Sequence, residues 1–186
     1  DNTVIAVHKD LEDVDQMIHF PELKTSVKDE VTGMKMVKAE KDMRIIDTVE
    51  YHNLKKGKKY KITGTLMDKE TGKEARDASG KKITESVEFV AKGKDGTAEV
   101  EFVFDGSNLA GKTLVAFEKL YYGDKLYAVH TDLEDEDQTI HVPSAGTTAS
   151  DKNTGTHHAY ADENVELTDT VEYRNLLPGE TYTLHG

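Results

Sequence analysis

The stretch ITESVEFVAKGKDGTAEVEFVFD, residues 83 to 105, decides the fold class. In its second half Val100, Phe102 and Phe104 alternate with Glu99, Glu101 and Val103; in its first half Ile83, Glu85, Val87 and Phe89 keep the same rhythm. A period of two puts successive side chains on opposite faces of an extended chain, so both runs read as half-buried strands, over 82–91 and 97–105. Outward from them, strands are predicted at 44–54, 58–68, 112–122, 125–130 and 138–142, all rich in Val, Ile, Thr, Tyr and Phe. The breaks carry turn chemistry: Lys56-Gly57, Thr71-Gly72, Ser79-Gly80, Asp95-Gly96 and Gly123-Asp124. Nothing sustains a helical period. Seven or so short strands in about 120 residues predict an all-β fold, an antiparallel β-sandwich of immunoglobulin-like architecture.

The strands belong to a repeat. AVHKDLEDVDQMIHFPELKTSVKD (6–29) lies without a gap on AVHTDLEDEDQTIHVPSAGTTASD (128–151), and the register continues with DTVEY at 47–51 and 169–173. At this offset of 122, 27 of the 64 overlapping positions are identical. The period is too long for a solenoid unit of roughly 20 to 50 residues and matches a whole domain. Pro21 and Pro143 hold the same place in it, just after a strand-like run, as rigid interdomain joints would. Residues 1–20 are therefore expected to be the C-terminal end of a preceding repeat, 21–143 a complete β-sandwich repeat and 144–186 the N-terminal part of a following one. Neither end of the chain is then a natural boundary.

Composition removes several functions. With 24 basic against 36 acidic residues the formal charge is −12, and both signs are spread along the chain, so no basic stripe is available for nucleic acid or an anionic membrane. Without cysteine there is no disulfide or thiolate-metal framework. The longest apolar runs are a few residues, which leaves no membrane-inserting segment or signal sequence here; a signal or anchor would lie outside these residues.

Chemistry-bearing residues recur with the repeat. His130, Asp135 and Gln138 follow one another at intervals of five and three, as do His8, Asp13 and Gln16. The strand before His130 reads Val115-Ala116-Phe117-Glu118, and a Thr stands four residues after each joint proline, Thr25 and Thr147. In their order along the repeat, the PxxxT start, the DTVEYxNL strand, the VAFE strand and the HxxxxDxxQ ending resemble the Thr-Gln ester-bond domains, or VaFE repeats, of Gram-positive bacterial surface adhesins. In that family a Thr of the first strand and a Gln of the last form an intramolecular ester unaided. The resemblance implies Thr25 as nucleophile, Gln138 as acyl donor, His130 as base, and Asp135 and Glu118 as acids of the proton network. The equivalents His8, Asp13, Gln16 and Thr147 lack their complements within this chain, and only the first Thr of the Thr147-Thr148 pair has a Thr counterpart, which favours Thr25 over Ser26 as the reacting position.

The chemistry accounts for those residue types. A Thr hydroxyl is a weak nucleophile and needs a base, and departing ammonia needs a proton, which a carboxyl kept neutral by burial or by a second carboxylate can supply. Glu118 and Asp135 are the expected pair. Water must be excluded to protect the product. The expected function is a stalk segment of a cell-wall-anchored, extracellular adhesin, self-cross-linked once rather than turning over substrate, with adjacent repeats as partners and an unknown host ligand. No cofactor and no metal are called for. Two readings compete: an immunoglobulin-like ligand-binding module without a cross-link, and a stalk stapled by Lys-Asn or Lys-Asp isopeptide bonds. Thr48 and Thr170 are rival nucleophiles, and Glu118 could face solvent, since alternation does not fix a strand's direction. The acidic run 132–137 reads as a solvated loop without EF-hand spacing, His19 and His141 as outward positions, and His157 and His158, where Lys35 and Met36 stand in the first copy, as surface variation.

Overall fold

The computed structural model describes residue 4, residues 6–161 and residues 163–185; positions 1–3 and 5, within the expected end of a preceding repeat, lie outside the described residues. Its strands are β1 (Glu22–Asp29), β2 (Met43–His52), β3 (Lys59–Asp68), β4 (Lys73–Glu74), β5 (Thr84–Val90), β6 (Gly96–Phe104), β7 (Thr113–Tyr122), β8 (Lys125–His130), β9 (Thr139–His141), β10 (Ser144–Asp151) and β11 (Leu167–Arg174). Two short 3-10 turns, Val14–Gln16 and Glu136–Gln138, sit one repeat apart. The all-β expectation holds, and the predicted strands agree with the observed ones to within about two residues at most ends.

Strands β1 to β9 form two facing antiparallel sheets. One runs β1-β2-β6; in the other, β3 lies between β7 and the pair β4 and β5, while the far edge of β7 is shared by β8 and β9. The first strand and the last therefore lie on different sheets, at the same open side of the sandwich, where β1 packs against β8, β9 and the Glu136–Gln138 turn. The two-residue connection Gly123-Asp124, with Gly123 at φ 57°, closes the β7-β8 hairpin in the left-handed conformation such tight turns favour. In β10 and β11 the start of the sandwich is repeated residue for residue: Thr147 opposes Val171 as Thr25 opposes Val49, and Ala149 opposes Asp169 as Val27 opposes Asp47.

Alternation drives the assembly. Ile45, Val49, Val100 and Phe102 of one sheet meet Ile62, Leu66, Leu114, Leu120 and Ile140 of the other, each at most 1% exposed. Burying side chains of this size contributes about 1.5–3 kcal/mol apiece. Strand β1 is absent from the strands read by periodicity for a physical reason: its inward residues are Leu23, Thr25, Val27 and Asp29, half of them polar, so the alternation in hydrophobicity is weak although the alternation in burial is complete. In β7, Leu114, Ala116, Glu118 and Leu120 share the inward face, so Glu118 occupies a core position and does not face solvent.

Gly64 of β3 opposes Glu118 across the strand pair. A Cβ at Gly64 would stand 2.7 Å from the Phe102 ring, a contact that neither buried strand can relieve without moving the aromatic. Gly64→Ala is expected to lower stability by about 1–3 kcal/mol, seen as an earlier urea midpoint at unchanged slope.

Candidate functional site

Four polar side chains meet in the interior at the open side of the sandwich. Thr25 comes from β1, Asp47 from β2, Glu118 from β7 and Gln138 from the 3-10 turn before β9; Thr25 is 7% exposed and the other three are fully buried. On adjacent strands Thr25 opposes Val49 and Asp47 opposes Val27, which makes Thr25 and Asp47 diagonal neighbours on one sheet face. The Gln138 amide nitrogen donates to Glu118 Oε2 at 2.5 Å. By contrast Thr25 Oγ1, both carboxyl oxygens of Asp47, Glu118 Oε1 and Gln138 Oε1 are buried without a well-formed hydrogen bond. Their nearest polar partners are one another, since Thr25, Asp47 and Gln138 all interact with the Glu118 carboxyl, so the cluster is a self-contained polar group set into an apolar core.

The electrostatics follow from burial. Desolvation, and then the neighbouring Asp47, push the Glu118 carboxyl far above the usual carboxylate range, with nearby Thr25 and Gln138 only partly offsetting this. Asp47 is also raised, by desolvation, against the pull of Glu118, His130 and Lys35. Two such carboxyls cannot both ionise, and the proton they retain titrates as a property of the pair, with Glu118 as its main holder.

His130 and Asp135 form the rim. His130 Nε2 lies 2.8 Å from Asp135 Oδ2, and Nδ1 lies 3.0 Å from the Leu23 carbonyl. Both partners can accept, an arrangement that favours the protonated ring, which donates from both nitrogens. Burial opposes that charge, but the Leu23 carbonyl and Asp135 outweigh it and the pKa is raised; Asp135 in turn is lowered, because His130 and the Asp137 N–H overcome desolvation. Two expectations change here. Glu118 pairs with Asp47, not with Asp135, which caps the turn by accepting from Asp137 N at 2.8 Å. His130, expected as the base, has both ring nitrogens engaged, one at the Leu23 carbonyl and one at Asp135.

Asp47 is the residue that sequence reasoning missed. Its signal was present in DTVEY, repeated at 169–173: in β2 the inward phase runs Ile45, Asp47, Val49, Tyr51, an acid in an apolar register. The rival Thr48 lies on the opposite face of β2, half-buried, and Thr170 is exposed. Of the repeat equivalents, His8 and Asp13 make the same contact, at 2.7 Å, beside the Val14–Gln16 turn, while Gln16 and Thr147 are exposed, with no facing sheet over them among the described residues. Within the acidic run, Glu134 and Glu136 pair with Lys69, and no cluster suited to a metal occurs among the described residues. His19, His157 and His158 are exposed, and His141 is half-buried with its pKa lowered by desolvation.

A family model described as the T-Q ester bond containing domain matches residues 21–142 and 143–186. No curated protein matches the sequence. Among solved structures, the chain resembles a bacterial adhesin from Mobiluncus mulieris, described as containing intramolecular disulfide, isopeptide and ester bond cross-links, in two crystal forms. One form gives a TM-score of 0.57 at 14% identity and the other 0.52 at 13%, each over 83% of this chain and 76% of that one. At these identities the likeness is one of fold.

The pKa directions set a pH dependence for a chain that cannot cross-link. Glu118 and Asp47 are raised in the folded state, so their contribution is complete below the unfolded carboxylate value of about 4.5 and is lost as pH rises. His130, also raised, loses its contribution as pH rises through its folded value. Thr25→Ala is therefore expected to melt at progressively lower temperature from pH 5 to pH 8, and adding Glu118→Gln should flatten most of that slope in thermal scans.

Proposed function

The chain belongs to the T-Q ester bond containing domain family, and from that premise we infer that residues 21–143 cross-link themselves through an ester between Thr25 and Gln138. The observation that carries this is the buried contact of Glu118 with the very nitrogen that must leave, 2.5 Å away, beside the Thr25 hydroxyl, which also interacts with Glu118, and a Gln138 carbonyl oxygen without a well-formed hydrogen bond. Thr25 Oγ1 attacks Gln138 Cδ while Asp47, the more readily ionised carboxyl, takes the hydroxyl proton. The Cδ–Nε2 bond then breaks as Glu118 gives its proton to the departing ammonia. A proton passing from Asp47 to Glu118 restores the pair. The His130 imidazolium holds Asp47 toward its charged form through the field it exerts. No cofactor or metal enters the scheme, and each domain reacts once. Loss of ammonia to solvent draws the reaction forward, and the burial of Gln138 and Thr25 keeps water from the product.

The tie joins the first strand of one sheet to the turn before the last strand of the other. Force entering at Pro21 and leaving at Pro143 then runs through the ester, which suits a load-bearing stalk of a surface adhesin anchored outside this segment. Contacts at the joints support neighbouring repeats as partners: Asn53 Nδ2 donates to the Phe20 carbonyl at 3.0 Å, and the Tyr182 hydroxyl approaches Met36 Sδ at 3.8 Å. The isopeptide reading is less favoured, since Lys35, the lysine whose charge reaches Asp47, gives its hydrogen bond to the Asp137 carbonyl instead.

Intact mass tests the proposal. The wild-type chain should be about 17 Da lighter than its sequence, the mass of one ammonia released by acyl transfer. Thr25→Ala and Gln138→Ala should keep their full masses. Hydroxylamine should open the wild-type link, which an isopeptide would resist. An unmodified wild-type mass would sink the ester and favour the plain binding module. By analogy with a disulfide closing about 113 residues, the link should stabilise by roughly 4–5 kcal/mol, or on the order of 15 °C in Tm against Thr25→Ala.

A further inference from the structure

After β1 the chain leaves its own sheet and crosses to the other. His141 N donates to the Lys35 carbonyl at 2.8 Å and Val37 N donates to the His141 carbonyl at 2.9 Å, a short parallel bridge centred on Met36 and His141. This zips residues 35–37 to the strand that directly follows Gln138. The Lys35 side chain does not then extend into solvent. It is half-buried, and its ammonium donates to the backbone carbonyl of Asp137, the carbonyl of the peptide bond that leads into Gln138.

We propose that Lys35 is a positioning residue for cross-link formation: its ammonium clamps the Asp137–Gln138 peptide so that the Gln138 amide meets Thr25, and its positive charge holds Asp47 ready to accept a proton. This rests on the ester reading above. The groups that face the ammonium are Asp135, Glu136 and Asp137 of the turn and Asp47 of β2, with His141 of β9 on the repelled side. Desolvation lowers the lysine's own pKa, while those four acids pull it back. A half-buried cation held amid acids beside the acyl donor is costly to place for solubility alone.

The test follows the 17 Da loss in the full chain at fixed times after cell-free synthesis, quenched in acid, for wild type and three variants. Lys35→Met should slow the loss by about tenfold or more, and Lys35→Arg, which keeps charge and donor, should restore most of the rate. Lys35→His should run near the wild-type rate at low pH and fall behind it as pH rises through the imidazole range, roughly 6.5. A merely structural lysine would not produce that pH-dependent ratio, and the ratio decides the matter even if the Met variant fails to fold. Equal rates for wild type and Lys35→Met, equally slow Met and Arg variants, or a flat His-to-wild-type ratio would each overturn the proposal. A wild type that never loses 17 Da would instead overturn the ester reading itself.

Discussion

Two carboxyl groups, Asp47 and Glu118, are held in the interior, and among the described residues no basic side chain is bonded to either. In an ordinary domain such a pair would be replaced by aliphatic side chains, because desolvating it opposes folding and nothing in direct contact neutralises it. The rest of the site is arranged around this constraint. One proton must be shared, so one group can donate while the other accepts. The Gln138 amide leans on the donor, and the cations His130 and Lys35 stand at the edge, near enough to bias Asp47 without quenching it. Gly64 leaves the Phe102 ring its place beside the strand that carries Glu118.

The architecture follows the same requirement. In the proposed scheme acid, base, nucleophile and acyl donor come from four different segments, β7, β2, β1 and the turn before β9, which the two-sheet sandwich brings together. The hydrophobic layer of Ile45, Phe102, Ile62 and Leu114 supplies the energy that sets this placement, and the polar atoms left unpaired draw on it. In that scheme folding performs the work of bringing reactants together that a separate catalyst would otherwise do.

Parts of the site were legible because they are local. The His-Asp pair and its 3-10 turn span nine residues, and they form in both repeat copies, even where nothing else of the site surrounds them, as at His8 and Asp13. Glu118 was marked by the VAFE strand, though its direction needed the sandwich. Asp47 was invisible as chemistry, because its partnership with Glu118 spans two sheets and its side chain reads, one residue at a time, as a polar residue beside Thr48. In the sequence Lys35 stands out only as the position that becomes His157, since no pattern in the chain foretells that residues 35–37 cross to β9. Strand β1 escaped because two of its four inward residues are Thr25 and Asp29.

The order in which these segments emerge during synthesis carries a consequence for fidelity. In a chain whose overlaid copies share 27 of 64 positions, Gln16 is made nine residues before Thr25, whereas the partner in the proposed ester, Gln138, follows 113 residues after it, roughly 6 to 23 s at about 5 to 20 residues per second. The wrong glutamine therefore always arrives first and lies nearer. Sequence order thus favours the wrong partner and the closed sandwich the right one: Gln138 is buried beside Glu118, on the same side as Thr25, whereas Gln16 is exposed, so under the proposed scheme the fold and not nearness along the chain selects which glutamine Thr25 meets.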